Sequence, residues 1–257
     1  MSQLFGPVKT ILELTWKVNG ANIAGPEHHL GNELNYLYTE VYTYSRFGDL
    51  LYIVLWDKRD KIVRKADLTY NRKGELIHES LFYLGYGYEQ KIYEYDTQGR
   101  RMEIKLYRKN HLKERTLYIY DKRGLCVRTD ELNNEGELVI SRHFDYNADE
   151  NLVHMEKTNE NGEKIGEEFK YFNEPTKLIK KNYCCTKGLA LNPWEKIIAC
   201  YDCQGNIISE TWHRPNGEEG RHNIHEYEFD RCGNWISRKT FENGFLNCRK
   251  ERNIEYF

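Results

Sequence analysis

The chain has 257 residues, of which 38 are basic and 40 are acidic, so its formal net charge at pH 7 is −2. This balance excludes the basic footprint that nucleic-acid-binding proteins and polybasic membrane-binding proteins need. Aromatic residues make up 14% of the chain, which indicates a folded protein because disordered chains are poor in aromatics.

No basic start followed by an apolar run appears after Met1, so the sequence predicts neither a signal peptide nor a membrane span. As given, the chain is expected to be cytoplasmic; the alternative is export, if a signal sequence has been omitted. The seven cysteines are odd in number and do not follow the repeat described next, which favours reduced thiols over a disulfide framework.

A short motif recurs along the chain: a Tyr, then Asp or Asn, two polar residues, Gly and an apolar pair. Its first residues, which we call the anchors, recur every 25 to 30 residues at Tyr44, Tyr70, Tyr95, Tyr120, Tyr146, Tyr171, Tyr201 and Phe229. Such a period is typical of repeat architectures. We interpret residues 1–257 as one repeat domain, with an N-terminal strand and loop (1–35), regular repeats (36–171), an irregular insert (172–197) and C-terminal repeats (198–257).

Polarity alternates with a period of two before each anchor, which is typical of a half-buried strand. The residue two before the anchor is apolar or aromatic, as in Tyr93, Tyr118, Phe144 and Phe169. These side chains are predicted to face inward, and the polar Glu94, Asp145 and Lys170 to face water. An apolar column seven residues after the anchor is expected to share the buried face: Leu51, Ile77, Met102, Val127, Val153, Ile208 and Ile236.

Turn residues follow each anchor, as in Asp96 to Gly99, and a second turn such as Asn133 to Gly136 lies halfway through each unit. Asp or Asn bonds the backbone two residues on and Gly accepts positive φ, so each unit is predicted to contain two strands and two turns. The fold class is therefore all-β: a curled antiparallel meander of about eight two-stranded hairpin repeats without substantial helix. Curling is expected because open sheets rarely exceed about ten strands.

The motif resembles the YD repeats of the RHS family, most clearly in Glu94 to Arg100 and in Phe229 to Trp235. The resemblance covers about Tyr36 to Phe257 in diverged form, and Leu4 to Thr10 also looks like the first strand of small uncharacterised bacterial YD-repeat proteins. It implies coiled sheets of β-hairpins that act as shells, surface proteins or interaction modules. Carbohydrate binding has been proposed for some members.

Cys200 and Cys203 have the spacing of a zinc or redox pair, but no second such pair supplies closing ligands. We therefore predict no metal and no cofactor. His222 and His225 are three residues apart in a predicted strand, so they are expected to point to opposite sides.

Two departures from the repeat are candidate binding sites. The first is the insert, whose Leu189, Leu191 and Trp194 either cover a weak seam or meet a partner, since insertions in repeat proteins often map to the binding face. The second is the run from Tyr83 to Tyr88, where Tyr86 and Tyr88 among glycines resemble an adaptable contact loop. A harmless surface insertion and a glycine-widened turn are the alternatives.

No catalytic motif is present in the sequence, and we predict no catalytic residue. The favoured function is a non-enzymatic interaction or scaffold module that binds a protein or carbohydrate through its sheet edge or insert loops. One alternative is an immunity- or antitoxin-type protein, because RHS-like repeats often accompany toxin systems. A glycan-active hydrolase is a further alternative, which requires two converging carboxylates about 5–10 Å apart.

Overall fold

A computed structural model describes residues 4–18, 34–174, 177–185, 196–214 and 216–257. Within these ranges the regular elements are all strands, and no helix long and apolar enough to cross a membrane occurs. The strands are β1 (Val8–Val18), β2 (Leu34–Tyr44), β3 (Leu50–Asp57), β4 (Ile62–Tyr70), β5 (Leu76–Tyr83), β6 (Gly87–Tyr95), β7 (Arg101–Arg108), β8 (His111–Tyr120), β9 (Cys126–Asn133), β10 (Leu138–Tyr146), β11 (Leu152–Asn159), β12 (Lys164–Glu174), β13 (Lys177–Cys185), β14 (Lys196–Tyr201), β15 (Ile207–His213), β16 (Glu219–Phe229), β17 (Trp235–Glu242) and β18 (Phe245–Tyr256).

The eighteen strands form a single antiparallel sheet in which each pairs with its neighbours in sequence. The first strand also pairs with the last: Glu13 of β1 lies opposite Glu40 of β2 on one side and opposite Arg252 of β18 on the other. Every strand is thus hydrogen-bonded on both sides. The predicted all-β hairpin meander is confirmed, and the exposed backbone of this sheet lies in its turns.

The hairpin turns form for the reason the motif predicts. Asp96 Oδ1 accepts hydrogen bonds from the backbone N–H of Gln98 at 2.8 Å and of Arg100 at 2.9 Å, and Gly99 has a φ of +80°. A side chain that bonds backbone groups two and four residues on closes the turn locally, and glycine tolerates the left-handed conformation. The same arrangement recurs at Asp57 and Asn133 at the opposite end of the sheet.

The apolar column seven residues after the anchor is not a buried column, and this prediction is wrong. Tyr95 lies opposite Arg101 and Glu94 lies opposite Glu103, so Met102 is the extra residue of a β-bulge. Met102 is 47% exposed, and Leu51 and Ile208 are exposed in the same way. The residue just before the bulge, here Arg101, lies on the same face as the anchor instead.

One face of the sheet is more buried than the other. Residues that pair directly on adjacent strands share a face, so the more buried face can be traced from strand to strand around the sheet. Its members with at most 9% exposure include Ile11, Ala66, Tyr93, Thr129, Ala199 and Thr240. Side chains crowd on the concave side of a sheet that closes on itself, so we call this the inner face. Tyr93 follows the predicted pattern, and Asp145 on the outer face has a side chain 71% exposed.

The predicted register fails in β12. Met155 of β11 lies opposite Glu168 and His154 lies opposite Phe169, which puts Phe169 on the outer face, its ring 4.6 Å from that of His154. Lys170 lies on the inner face, with a side chain 24% exposed. The register of β12 against β13 first shifts between Tyr171 and Phe172, as it shifts between Glu94 and Tyr95 in β6, so Phe172 is the structural anchor. Tyr171 is 44% exposed.

The anchor tyrosines connect adjacent strands. At four anchors the hydroxyl donates a hydrogen bond to the carbonyl oxygen of the first residue of the preceding strand: Tyr70 to Leu50 at 2.9 Å, Tyr95 to Leu76 at 2.8 Å, Tyr120 to Arg101 at 2.7 Å and Tyr146 to Cys126 at 2.8 Å. Such a bond ties the end of one strand to the start of the strand before it. It gives a structural reason for Tyr rather than Phe at these four anchors.

A clasp joins the two ends of the chain at the last anchor turn. The side chain of Asn234, which is 2% exposed, accepts from the backbone N–H of Phe5 at 2.7 Å and donates to the Phe5 carbonyl at 2.6 Å and to the Tyr256 hydroxyl at 2.8 Å. Beneath it, Val8, Ile11 and Tyr44 form a buried apolar cluster.

Candidate functional site

The turn between β5 and β6 presents the exposed aromatic side chains of the candidate contact loop. Tyr86 is 87% exposed and Tyr88 is 65% exposed. The backbone beneath them is held by two hydrogen bonds, from Leu84 N–H to Val63 at 3.0 Å and from Tyr86 N–H to Tyr83 at 3.1 Å. The ring of Tyr88 lies 5.0 Å from that of Phe82, so an ordered turn carries these tyrosines.

The other predicted binding residues, Leu189, Leu191 and Trp194, lie outside the described residues, and their role stays a prediction. The strands on either side of them are β13 and β14. The last residue of β13 and the first residue of β14 lie at the same end of the sheet as the β5–β6 turn, because strand direction alternates along an antiparallel meander.

A second candidate site lies on the inner face of β1, β17 and β18, which we call the seam because the first and last strands meet there. Glu13, 2% exposed, accepts a hydrogen bond from Lys250 and another from Arg252 Nε at 2.9 Å. Burial alone raises the pKa of the Glu13 carboxyl, but Lys250 and Arg252 outweigh it and hold that pKa below its ordinary value.

Aromatic rings surround the basic groups of the seam. The guanidinium carbon of Arg252 lies 3.4 Å from the centroid of the Trp235 ring, and that of Arg238 lies 5.6 Å from the same centroid. Lys250 Nζ lies 5.7 Å from the ring centroid of Tyr38. Cations over ring faces are attracted by the ring quadrupole, which fixes the planes of the guanidinium groups.

The inner face also carries an acidic pair farther round the sheet. Glu114 of β8 has a raised pKa, because of burial first and the charge of Glu131 second. Glu131 in turn accepts a hydrogen bond from Arg142 at 2.5 Å. Two carboxyls on one inner surface are a feature that the hydrolase alternative requires, and the neighbouring arginine neutralises one of them.

The described cysteines and histidines do not converge on one site. Among the described residues no group of three or more His, Cys, Asp or Glu side chains is placed to hold a metal ion. Cys203 is exposed in a turn, and Cys200 is half-buried on the outer face. His222 bonds Thr211 at 2.9 Å, whereas His225 on the inner face bonds Thr240 at 2.9 Å, so the pair is split between the two faces.

Sequence reasoning missed the seam. The available signal was Glu13 in the same inward register as Ile11 of β1, together with Lys250 and Arg252 two residues apart in β18. Both strands lie outside the regular Tyr-Asp pattern. Nothing in either strand alone shows that they pair.

No family model matches the chain, and no curated protein matches it. Among solved structures, it is similar to a porin-like protein from Bacteroides uniformis, with 11% identity and a TM-score of 0.49 over 98% of this chain and 99% of that one. A porin-like protein from Bacteroides vulgatus shows 12% identity and a TM-score of 0.32 over 97% and 98%. The Photorhabdus luminescens Tc holotoxin pore shows 12% identity and a TM-score of 0.37 over 89% of this chain and 13% of that one. Likenesses of this size do not define a function.

Proposed function

We propose that the chain is a non-enzymatic binding module of the YD-repeat type that captures a protein or glycan partner through the turn carrying Tyr86 and Tyr88. The observation that carries the proposal is the 87% exposure of the Tyr86 ring on an ordered turn. Tyrosine offers large, rigid contact area with a polar tip at a low entropic cost, which suits it to recognition.

The backbone of this turn supports recognition without rearrangement. Gly85 and Gly87 both have a φ of +87°, a conformation that other residues rarely adopt, and the two hydrogen bonds beneath Tyr86 hold the turn to β4 and β5. A contact surface that is ordered before binding loses less conformational entropy when the partner arrives. With every strand paired on both sides, the turns are where such a surface is presented.

The test compares two ends of the sheet. The double variant Tyr86→Ser, Tyr88→Ser removes the proposed contact, and Phe47→Ser is the matched control because Phe47 is 85% exposed in an anchor turn at the opposite end. Each protein is used in glycan-array binding and in a cross-linked pull-down. A partner held by the wild type and by Phe47→Ser but lost by the double variant supports the proposal; a partner held equally by all three contradicts it.

The insert is tested in the same assay. Deletion of residues 186–192 is expected to leave the fold intact, because altering a long loop costs little. Loss of the partner in this variant alone would place the contact on the insert and away from Tyr86. Recovery of a toxin as the partner would support the immunity- or antitoxin-type alternative.

A further inference from the structure

The seam carries more positive than negative charge on its inner face. Arg238, Lys250 and Arg252 lie on β17 and β18, and Glu13 is the carboxylate that bonds two of them. Glu40 lies next to Glu13 in register, but it accepts a hydrogen bond from Arg64 at 2.5 Å. The seam therefore has an excess of cations over the acids that contact them.

Two of these cations face each other directly. Arg238 of β17 lies opposite Lys250 of β18, and Lys250 lies opposite Thr15 of β1, so that one row crosses all three strands. Like charges directly opposite each other destabilise a sheet. A row of this kind is favourable when an anion lies between or above its members.

Unused hydrogen-bonding groups lie in this row and in the adjacent row, where Arg252 lies opposite Glu13. Arg238 Nε, Arg252 Nη1 and Thr15 Oγ1 are buried and have no hydrogen-bond partner. Thr15 is 2% exposed and lies directly opposite Lys250 on the same face, so its hydroxyl is a buried polar group next to the basic residues. A buried donor without an acceptor destabilises the fold, and a bound oxyanion would supply acceptors to these groups.

We propose that the inner face of the seam binds an oxyanion, a carboxylate or phosphate group, through Arg238, Lys250 and Arg252 with the Thr15 hydroxyl. The guanidinium fork matches the oxygen geometry of carboxylate and phosphate, and the stacked Trp235 ring holds Arg252 in a fixed plane. This site is separate from the Tyr86 turn, and it stands or falls independently of the function proposed above.

The test is isothermal titration calorimetry of the full chain with inorganic phosphate and with glucuronate, each against sodium chloride at equal ionic strength. Saturable binding of at least one probe is expected. Binding of both probes supports a site that accepts phosphate and carboxylate groups alike. Binding of glucuronate alone supports a site for a carboxylate carried on a sugar. Absence of saturable binding for both probes overturns the proposal.

Three variants locate the site. Arg238→Gln is expected to weaken binding about tenfold or more, as the loss of a charged hydrogen-bond donor does. Thr15→Val is expected to weaken it a few-fold without lowering the melting temperature, because the hydroxyl it removes has no partner in the fold. Arg249→Gln is the matched control, since Arg249 lies on the outer face of the same strand and pairs with Glu251. Equal loss in Arg249→Gln, or unchanged affinity in Thr15→Val and Arg238→Gln together, overturns the proposal.

Discussion

The regular repeats and the seam hold their strands together by different means. In β5 to β10, short-range bonds dominate: the hydroxyl of Tyr120 donates to the Arg101 carbonyl one strand away, and Asp121 closes its own turn. At the clasp, Asn234 binds Phe5 from 229 residues away, and at the seam Glu13 binds Lys250 and Arg252 from more than 200 residues away.

The comparison shows that a repeat with local contacts can recur along the chain, whereas the pairing of the first and last strands needs contacts that occur once. A hairpin needs only residues within its own period, so the motif can recur with small changes. The seam must recognise two particular strands across the whole chain, and it does so with buried polar groups. Such groups penalise wrong pairing, because each loses its partner when the strands shift in register.

The largest effect is expected from Glu13→Ala. This change leaves Lys250 and Arg252 mostly buried without their carboxylate, with side chains 17% and 13% exposed. Breaking a buried ion pair in this way costs about 3–5 kcal/mol. Chemical denaturation measures it, and Glu255→Ala is the control, because the Lys9–Glu255 pair is about half exposed and is expected to contribute less than about 1 kcal/mol.

The same residue gives a pH prediction. The folded-state pKa of Glu13 lies below the ordinary value of 4.5, so its stabilising contribution is present above pH 4.5 and is lost as the pH falls through the lowered pKa. The stability difference between the wild type and Glu13→Gln should therefore shrink below pH 4.5. A difference that is constant from pH 7 to the acid unfolding transition would contradict the assigned ion pairs.

The next largest effect is expected from Asn234→Ala. Three side-chain hydrogen bonds of a residue 2% exposed are lost, and the free energy of unfolding should fall by about 2–3 kcal/mol. Asn206→Ala is the matched control, because Asn206 occupies the equivalent place in the preceding anchor turn but bonds only side chains of its own turn. Equal destabilisation by both variants would show that the contacts with Phe5 and Tyr256 add nothing.

A smaller effect is expected from Tyr120→Phe within the regular repeats. The ring stays, and the hydroxyl that donates to the Arg101 carbonyl is lost, at a cost of about 1 kcal/mol. Tyr86→Phe is the control, since the Tyr86 side chain is 87% exposed and should leave the urea midpoint unchanged. Identical midpoints for both variants would remove the structural reason given for Tyr at the anchor.

Local features of the fold were predictable from the sequence, because their causes lie within a few residues. The turn at Asp96 and the inward place of Tyr93 are of this kind. The register of β12 was not predictable. The interval from the bulge before Gly166 to Tyr171 is one residue shorter than the same interval in β4, β8 and β10, and one residue reverses the two faces of a strand.

The candidate sites differ in the same way. Tyr86 and Tyr88 were singled out because they interrupt a local pattern, and their exposure shows where the structure presents them. The seam was not predictable, because the partners of Glu13 lie on β18, which pairs with β1 only in the folded sheet. The pattern of polar and apolar residues within either strand does not indicate that the two strands pair.

The smallest effect concerns thiol reactivity, where the seam and the repeats each contain a partly buried cysteine. Burial raises the pKa of the Cys248 thiol at the seam and of the Cys126 thiol in the repeats, so less of each is thiolate at pH 8. Cys203 and Cys232 are exposed. Iodoacetamide labelling followed by peptide mass spectrometry should modify Cys203 and Cys232 first.

At Cys248 the positive charges of Lys250 and Arg238 lower the thiol pKa and so act against burial. Removing one charge with Arg238→Gln should therefore slow the labelling of Cys248 further, while Cys126 labels at the wild-type rate. Faster labelling of Cys248 than of Cys203 in the folded wild type would contradict the burial of the seam.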